Sequence, residues 1–138
     1  RSAVNTVLRV LNPARAPAAV QGVFHPPYRE LQADACDLLG QPAMTVLKGG
    51  GGEFERHPSK AIALYGTRGG ARWESDARRL ADENPDPADL ARLWSGALDD
   101  PFARAIVLGT AELALETCGL APGLAQELWT DRNASRAA

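Results

Sequence analysis

Two apolar runs separated by one amphipathic segment place the strongest constraint on the fold. Residues 19–24 (AVQGVF) and residues 43–48 (AMTVLK) are each typical of a buried strand. Between them, HPPY predicts the start of a helix at Pro26 or Pro27. Two strands with a helix between them form a parallel βαβ unit, because a parallel connection needs a crossover. The sequence therefore predicts an α/β fold with a mixed, partly parallel sheet and flanking helices.

The crossover helix is predicted to bury a leucine-rich stripe. Leu31, Ala35, Leu38 and Leu39 recur at the spacing of one helix face. Gly40 follows directly, and glycine is the residue found most often just beyond a helix end. We therefore expect this stripe to face the sheet and the helix to end at Gly40.

Residues 61–66 (AIALYG) and residues 71–75 (ARWES) are predicted to pair as a hairpin. Both runs are short, and the intervening GTRGG supplies the glycines that a tight turn requires. We expect this hairpin to lie at the edge of the sheet.

Helices are also predicted at the start of the chain and after the hairpin. In the opening segment, Val4, Val7, Leu8 and Leu11 share one helix face. Proline and aspartate residues mark the starts of the later helices, and glycines mark two of the ends. These helices are expected at residues 87–96, started by Asp86; at residues 101–118, capped by Asp99 and Asp100 and ended by Gly119; and at residues 122–132.

Length and composition are those of one globular domain. The chain has 138 residues, of which 45% are hydrophobic and 23% are charged, and its formal net charge is -2. A slightly negative net charge gives no reason to expect nucleic acid binding. A local stripe of arginines is still compatible with this net charge. No apolar run approaches the roughly 20 residues that span a bilayer, and no secretion signal opens the sequence. We therefore expect a cytoplasmic protein that does not contact membranes.

The two cysteines are predicted to be reduced thiols in the core. Cys36 and Cys118 are far apart in the sequence, and each lies inside an apolar helical pattern. A buried thiol in such a pattern behaves as a small hydrophobic side chain.

Four consecutive glycines, from Gly49 to Gly52, follow the second predicted strand and precede Glu53 and Glu55. The run follows the carboxyl end of a parallel strand, which is where open α/β sheets bind ligands. Glycine backbone can line a phosphate, but carboxylates repel phosphate unless a divalent cation lies between them. The spacing fits neither a P-loop nor a dinucleotide fingerprint. Two interpretations of the glycine run therefore remain: a metal-bridged phosphate site and a solvated turn.

Four segments then identify a family resemblance. Arg1, Asn5 and the Asn12-Pro13-Ala14 triplet form R-S-A-V-N-x6-N-P-A. This spacing resembles R-T-x-x-N-L-L-G-P-L-x-N-P-A, a signature of anthranilate phosphoribosyltransferase and its relatives in glycosyl transferase family three. VQGVFHPPY, TVLKGGGGE and GTAELAL resemble three further family segments in the same order. In the last of them, Thr110 stands where the family has asparagine.

The resemblance implies a nucleoside phosphorylase or phosphoribosyltransferase type of α/β domain, with residues 1–138 as its C-terminal part. In this family an N-terminal helical domain and the diphosphate-binding loops lie upstream, so the resemblance implies that this part alone is inactive. It also implies a homodimer in the full-length protein. By the same resemblance, Arg1 and Asn5 bind a small acceptor, whereas Glu55 and Glu53 hold Mg2+ together with phosphoribosyl diphosphate.

Two departures from the family pattern imply an alternative. Leu8 and Arg9 replace a Gly-Pro step, and Glu53 and Glu55 flank a phenylalanine where the family has adjacent Asp-Glu. In extended backbone, residues two apart share a face and adjacent residues do not, so the metal geometry is altered. Both departures resemble the TrpD-like branch of YbiB-type DNA-binding proteins. That resemblance implies a non-catalytic protein in which Arg9 and Arg15 contact a DNA or RNA backbone.

Overall fold

The sheet has four strands in the order β1–β2–β3–β4. A computed structural model of the protein describes residues 4, 7–8, 11–49, 54–82 and 88–133. In this part of the chain the strands are β1 (Ala18–Val23), β2 (Ala43–Lys48), β3 (Ile62–Arg68) and β4 (Ala71–Arg78). Strands β1 and β2 are parallel, whereas β3 and β4 continue the sheet in antiparallel order. The predicted mixed α/β sheet is confirmed.

Helix α1 (Tyr28–Leu38) makes the crossover between β1 and β2. The parallel register runs from Ala18 opposite Ala43 to Val23 opposite Lys48, so the two strands match along their whole length. The βαβ prediction is therefore confirmed, with each strand boundary within one residue of its predicted place.

The face that α1 buries differs from the predicted one. Gln32, Ala33 and Cys36 are buried, whereas Leu31 and Leu38 face solvent, with 89% of Leu38 exposed. Leu39 is also exposed, so the predicted leucine stripe is wrong. The small side chains of Ala33 and Cys36 pack against Val23, Met44 and Val46, which lets the helix lie close to the strands. Gly40 does end the helix, with a φ of 68° that favours glycine.

The hairpin turn consists of Gly69 and Gly70. Their φ values are 58° and 76°, which is the turn geometry that matches the twist of two antiparallel strands. Strand β3 extends through Arg68, beyond its predicted end at residue 66. Strand β4 lies at the edge of the sheet, as predicted.

Three helices follow the hairpin: α2 (Leu90–Ser95), α3 (Pro101–Thr117) and α4 (Leu124–Thr130). Helix α2 is capped by Asp89, whose carboxylate accepts from the Arg92 amide at 3.0 Å. The predicted cap, Asp86, lies outside the described residues. Asp100 caps α3 as predicted, and Gly119 ends it with a φ of 79°. Helix α4 is shorter than the predicted segment 122–132.

The opening segment is described at three helical residues, Val4, Val7 and Leu8. These residues and Leu11 are each more than half exposed. No helix in the described part of the chain is long and apolar enough to cross a membrane.

The parallel pair is covered on both faces. Side chains alternate along β2, so Met44 and Val46 face α1, while Thr45 and Leu47 face α3. On the α3 side, Leu113 packs against Leu47, Ile62 and Leu64. Burial on both faces is the usual condition for parallel strands.

A buried hydroxyl pair fixes α3 to β2. Thr45 Oγ1 and Thr117 Oγ1 are 2.7 Å apart, and both residues are almost completely buried. Thr117 Oγ1 also donates to the Leu113 carbonyl at 2.6 Å. Because a hydroxyl carries one proton, Thr45 donates and Thr117 accepts.

This arrangement predicts unequal costs for two matched substitutions. Thr117→Val leaves the Thr45 hydroxyl buried without its acceptor, and we expect the free energy of unfolding to fall by about 1–3 kcal/mol. Thr45→Val leaves Thr117 its bond to the Leu113 carbonyl, so a smaller loss of about 1 kcal/mol is expected. The double variant should cost less than the sum of the two. Urea unfolding measures the free energy of unfolding of all three variants. Equal destabilisation by Thr117→Val and Thr45→Val would contradict the assignment of Thr45 as the donor.

Candidate functional site

The carboxyl ends of β1 and β2 lie side by side at one edge of the sheet. Val23 and Lys48 are register partners, and the Gly49 amide donates to the Val23 carbonyl at 3.0 Å. The parallel ladder therefore continues into the first residue of the glycine run. Gly50 to Gly52 and Glu53 lie outside the described residues, so the predicted metal role of Glu53 stays a prediction.

The chain after the glycine run is attached to α3 through Thr110. The Arg56 amide donates to Thr110 Oγ1 at 3.0 Å. Glu55, the neighbouring residue, has an exposed side chain. The chain that follows the glycine run therefore meets the GTAELAL segment of α3 at Arg56 and Thr110.

The Arg56 side chain is buried beneath α3. Arg56 is only 7% exposed, and its side chain lies next to Gly109. A Cβ on Gly109 would lie 2.5 Å from Leu80 Cδ1 and 3.7 Å from Arg56 Cδ, so any larger residue would displace its neighbours. Burial lowers the pKa of Arg56 from its usual value, the positive charge of Arg78 lowers it further, and Glu116 partly offsets both.

The Asn12-Pro13-Ala14 triplet forms a closed turn. The Asn12 side-chain amide donates to the Ala16 carbonyl at 2.7 Å, and its oxygen accepts from the Ala16 amide at 2.8 Å. Arg15 lies in this turn with a φ of 50° and an exposed side chain. Asn12 thus has a structural role, and it holds Arg15 at the surface.

The other residues predicted to bind a ligand fall outside the described part of the chain. Arg1 and Asn5, the predicted acceptor contacts, are among them, and so is Arg9, the predicted nucleic acid contact. Their roles stay predictions.

Many arginines of the described surface are engaged by neighbouring groups. Arg29 lies over the Tyr65 ring, and four others face carboxylates within 4 Å. These four pairs are Arg68–Glu116, Arg72–Asp34, Arg79–Asp82 and Arg104–Asp99. Such pairing reduces the positive potential that a nucleic acid backbone would meet.

An open pocket of about 250 Å³ lies between β1 and α3. Its walls are mostly apolar, and they include Ala19, Phe54, Ala114 and Cys118. Cys118 is exposed, so its predicted burial is wrong, because it lies beyond the last residue of α3. Cys36 is buried as predicted.

Glu55 is the described carboxylate nearest in sequence to the glycine run. No group of three or more histidine, cysteine, aspartate or glutamate residues gathers as a metal site within the described ranges. Mg2+ commonly binds one or two carboxylates together with substrate phosphates and waters. An exposed Glu55 fits that mode of binding. The described residues do not supply enough ligands for a metal site built from protein side chains alone.

Sequence reasoning missed Arg56 as a buried group. The available signal was Gly109, directly before Thr110 in a segment already singled out, because glycine within a helix often marks close packing. The sequence alone does not say which side chain fills the space.

Comparison with known proteins gives one partial match to report. No family model matches the sequence. Over 60 residues the chain is 38% identical to an uncharacterized protein of Aquifex aeolicus (strain VF5). The match covers 44% of this chain and 19% of the relative, so the chain spans about a fifth of that protein's length.

Replacing Thr110 tests how the loop is anchored. In Thr110→Ala the Arg56 amide loses its acceptor, so we expect about 1 kcal/mol of destabilisation and faster hydrogen exchange at that amide. Thr110→Ser keeps the hydroxyl and serves as the matched control, with exchange close to that of the unmodified chain. Unchanged exchange in Thr110→Ala would show that Thr110 does not hold the loop.

The two thiols should react at very different rates. Cys118 is exposed, whereas burial of Cys36 both blocks access and raises the pKa of its thiol, which disfavours the reactive thiolate. We expect one thiol per native molecule to react with a disulfide reagent near pH 8 and the second to react only in denaturant. Cys118→Ser should abolish the fast reaction, and Cys36→Ser should leave it unchanged. Two fast thiols in the native protein would contradict the buried position of Cys36.

Proposed function

We propose that this chain is the C-terminal part of a phosphoribosyltransferase-type α/β domain. In the full-length protein, the carboxyl edge of β1 and β2 would contribute to binding phosphoribosyl diphosphate for transfer of the pentosyl group to a small acceptor. This part alone is proposed to be inactive, because the family's diphosphate loops belong to another part of the domain.

The contact between Arg56 and Thr110 is the observation that carries this proposal. It joins the segment after the glycine run to α3 through one hydrogen bond of 3.0 Å. Thr110 belongs to a segment that resembles the family, and Arg56 follows the glycine run, which begins at the carboxyl end of β2. Open α/β sheets bind their ligands at that end of parallel strands.

Glu55 is the residue we propose to hold Mg2+, with Glu53 as a second ligand. The exposed Glu55 carboxylate lies directly before the anchored Arg56, so its backbone position is restrained. Bound Mg2+ neutralises charge that develops on a leaving diphosphate. The chain's own contribution is to hold the Glu55 carboxylate on a restrained backbone shortly after the glycine run.

The remaining elements of the proposal follow the family resemblance. Arg1 and Asn5 would orient the acceptor, since the planar guanidinium of arginine suits a carboxylate. The full-length protein would be a cytoplasmic homodimer.

Nucleic acid binding through Arg9 and Arg15 is the competing proposal. Arg15 is exposed, but the acid-paired arginines elsewhere on the described surface give that proposal less support. The two proposals differ in salt dependence, since binding to a nucleic acid backbone weakens steeply as salt rises.

The test uses the full-length protein, Mg2+ and phosphoribosyl diphosphate in a calorimetric titration. Glu55→Gln should weaken Mg2+-dependent binding by at least about 10- to 100-fold, because the loss of a residue that only orients a metal ligand already has an effect of that size. Glu74→Gln, which changes an exposed glutamate on β4, is the matched control and should bind normally.

If Glu55→Gln and the unmodified protein bind phosphoribosyl diphosphate with equal affinity in the presence of Mg2+, Glu55 does not hold the metal. No binding of phosphoribosyl diphosphate, together with tight and strongly salt-dependent binding of an oligonucleotide, would favour the competing proposal.

A further inference from the structure

The outer side of α1 leaves four large apolar side chains in solvent. Leu31, Leu38 and Leu39 are each more than half exposed, and Tyr28 is 44% exposed. Their spacing places them in one stripe of the helix, beside the side that is buried against the sheet. We call these four residues the α1 face. A contiguous apolar patch on a folded domain marks an interaction surface, because covering it removes apolar area from water.

The opening segment carries a second exposed apolar face. Val4, Val7, Leu8 and Leu11 share one helix face by their spacing, and each is more than half exposed. We call these four residues the opening face. Since both faces are exposed in the same chain, neither covers the other within one molecule. Each face therefore stays in water unless another molecule packs against it.

Acidic side chains accompany the α1 face. Glu30, Asp34 and Asp37 are exposed on α1, whereas Arg29 lies over an aromatic ring of β3. Among the described residues, Glu30 and Asp37 have no cation within 4 Å, and Asp34 pairs with Arg72. The exposed surface of α1 is therefore both apolar and net negative.

The opening segment has the opposite charge. Residues 1–17 hold three arginines and no acidic residue, and Arg15 is exposed. Contact between a basic segment and an acidic helix is favoured, whereas contact between two copies of α1 brings like charges together. Charge complementarity therefore selects the opening face of a second copy as the occupant of the α1 face.

The area that such a contact buries favours a reciprocal arrangement. One contact between two short helices is small beside the roughly 800 Å² per partner that a specific interface buries. When the opening face of each copy lies on the α1 face of the other, the contact is made twice about a two-fold axis. Eight large apolar side chains of each chain then leave water, and the assembly closes at two copies.

We infer that two copies of this chain form a dimer in which the opening face of each copy packs against the α1 face of the other. Apolar burial stabilises this dimer, and the opposite charges of the two segments set which faces meet. The inference uses neither Glu55 nor the family resemblance, so it does not rest on the proposed phosphoribosyl diphosphate site.

Sedimentation equilibrium of the 138-residue chain at a series of micromolar concentrations measures this association. The unmodified chain should dimerise, and Leu38→Glu should raise the Kd by at least about tenfold, because it places a charge within an apolar contact. Leu38 is almost fully exposed, so the variant should fold, which far-UV circular dichroism checks. Leu128→Glu changes an exposed leucine of α4 and is the matched control, with an unchanged Kd.

Mixing two variants tests the reciprocal exchange itself. Leu8→Glu should weaken the dimer as Leu38→Glu does, since each change affects both contacts of its dimer. An equimolar mixture retains one unmodified contact, between the opening face of the Leu38→Glu chain and the α1 face of the Leu8→Glu chain. The mixture should therefore associate more tightly than either variant alone. A monomeric unmodified chain, a dimer that either variant leaves intact, or no gain on mixing would overturn the proposal.

Discussion

Parallel pairing of β1 and β2 is the constraint on which the remaining structure depends. Six register pairs, from Ala18–Ala43 to Val23–Lys48, require a crossover on one face of the sheet and a cover on the other. Helix α1 supplies the crossover, and α3 supplies the cover through Leu113. Because the strands are parallel, their carboxyl ends meet at one edge, and the glycine run begins there.

Helix α3 connects this sheet to the chain after the glycine run through two threonines seven residues apart. Thr117 pairs with Thr45 inside β2, and Thr110 accepts from the Arg56 amide in the segment that follows the glycine run. Residues with this spacing lie on the same helix face. One helix face therefore fixes both the strand and the chain beyond it, which links the stability of the core to the position of Glu55.

Apolar runs and glycines predicted much of this fold, whereas tertiary packing decided the rest. Strands β1 and β2 were predictable because both are short apolar runs, and the two-glycine turn of the hairpin has few alternatives. The buried face of α1 was not predictable, because Leu31 and Leu38 give the more apolar stripe while the close crossover selects Ala33 and Cys36. Burial of Arg56 likewise depends on contacts between distant segments.

The ligand-binding role of the carboxyl edge is the central claim, and a crystal structure of the full-length protein grown with Mg2+ and phosphoribosyl diphosphate tests it most directly. Our account predicts the diphosphate and Mg2+ beside the ends of β1 and β2, with Glu55 facing the metal. A ligand bound at a different edge of the sheet, with Glu55 in contact only with solvent, would contradict it.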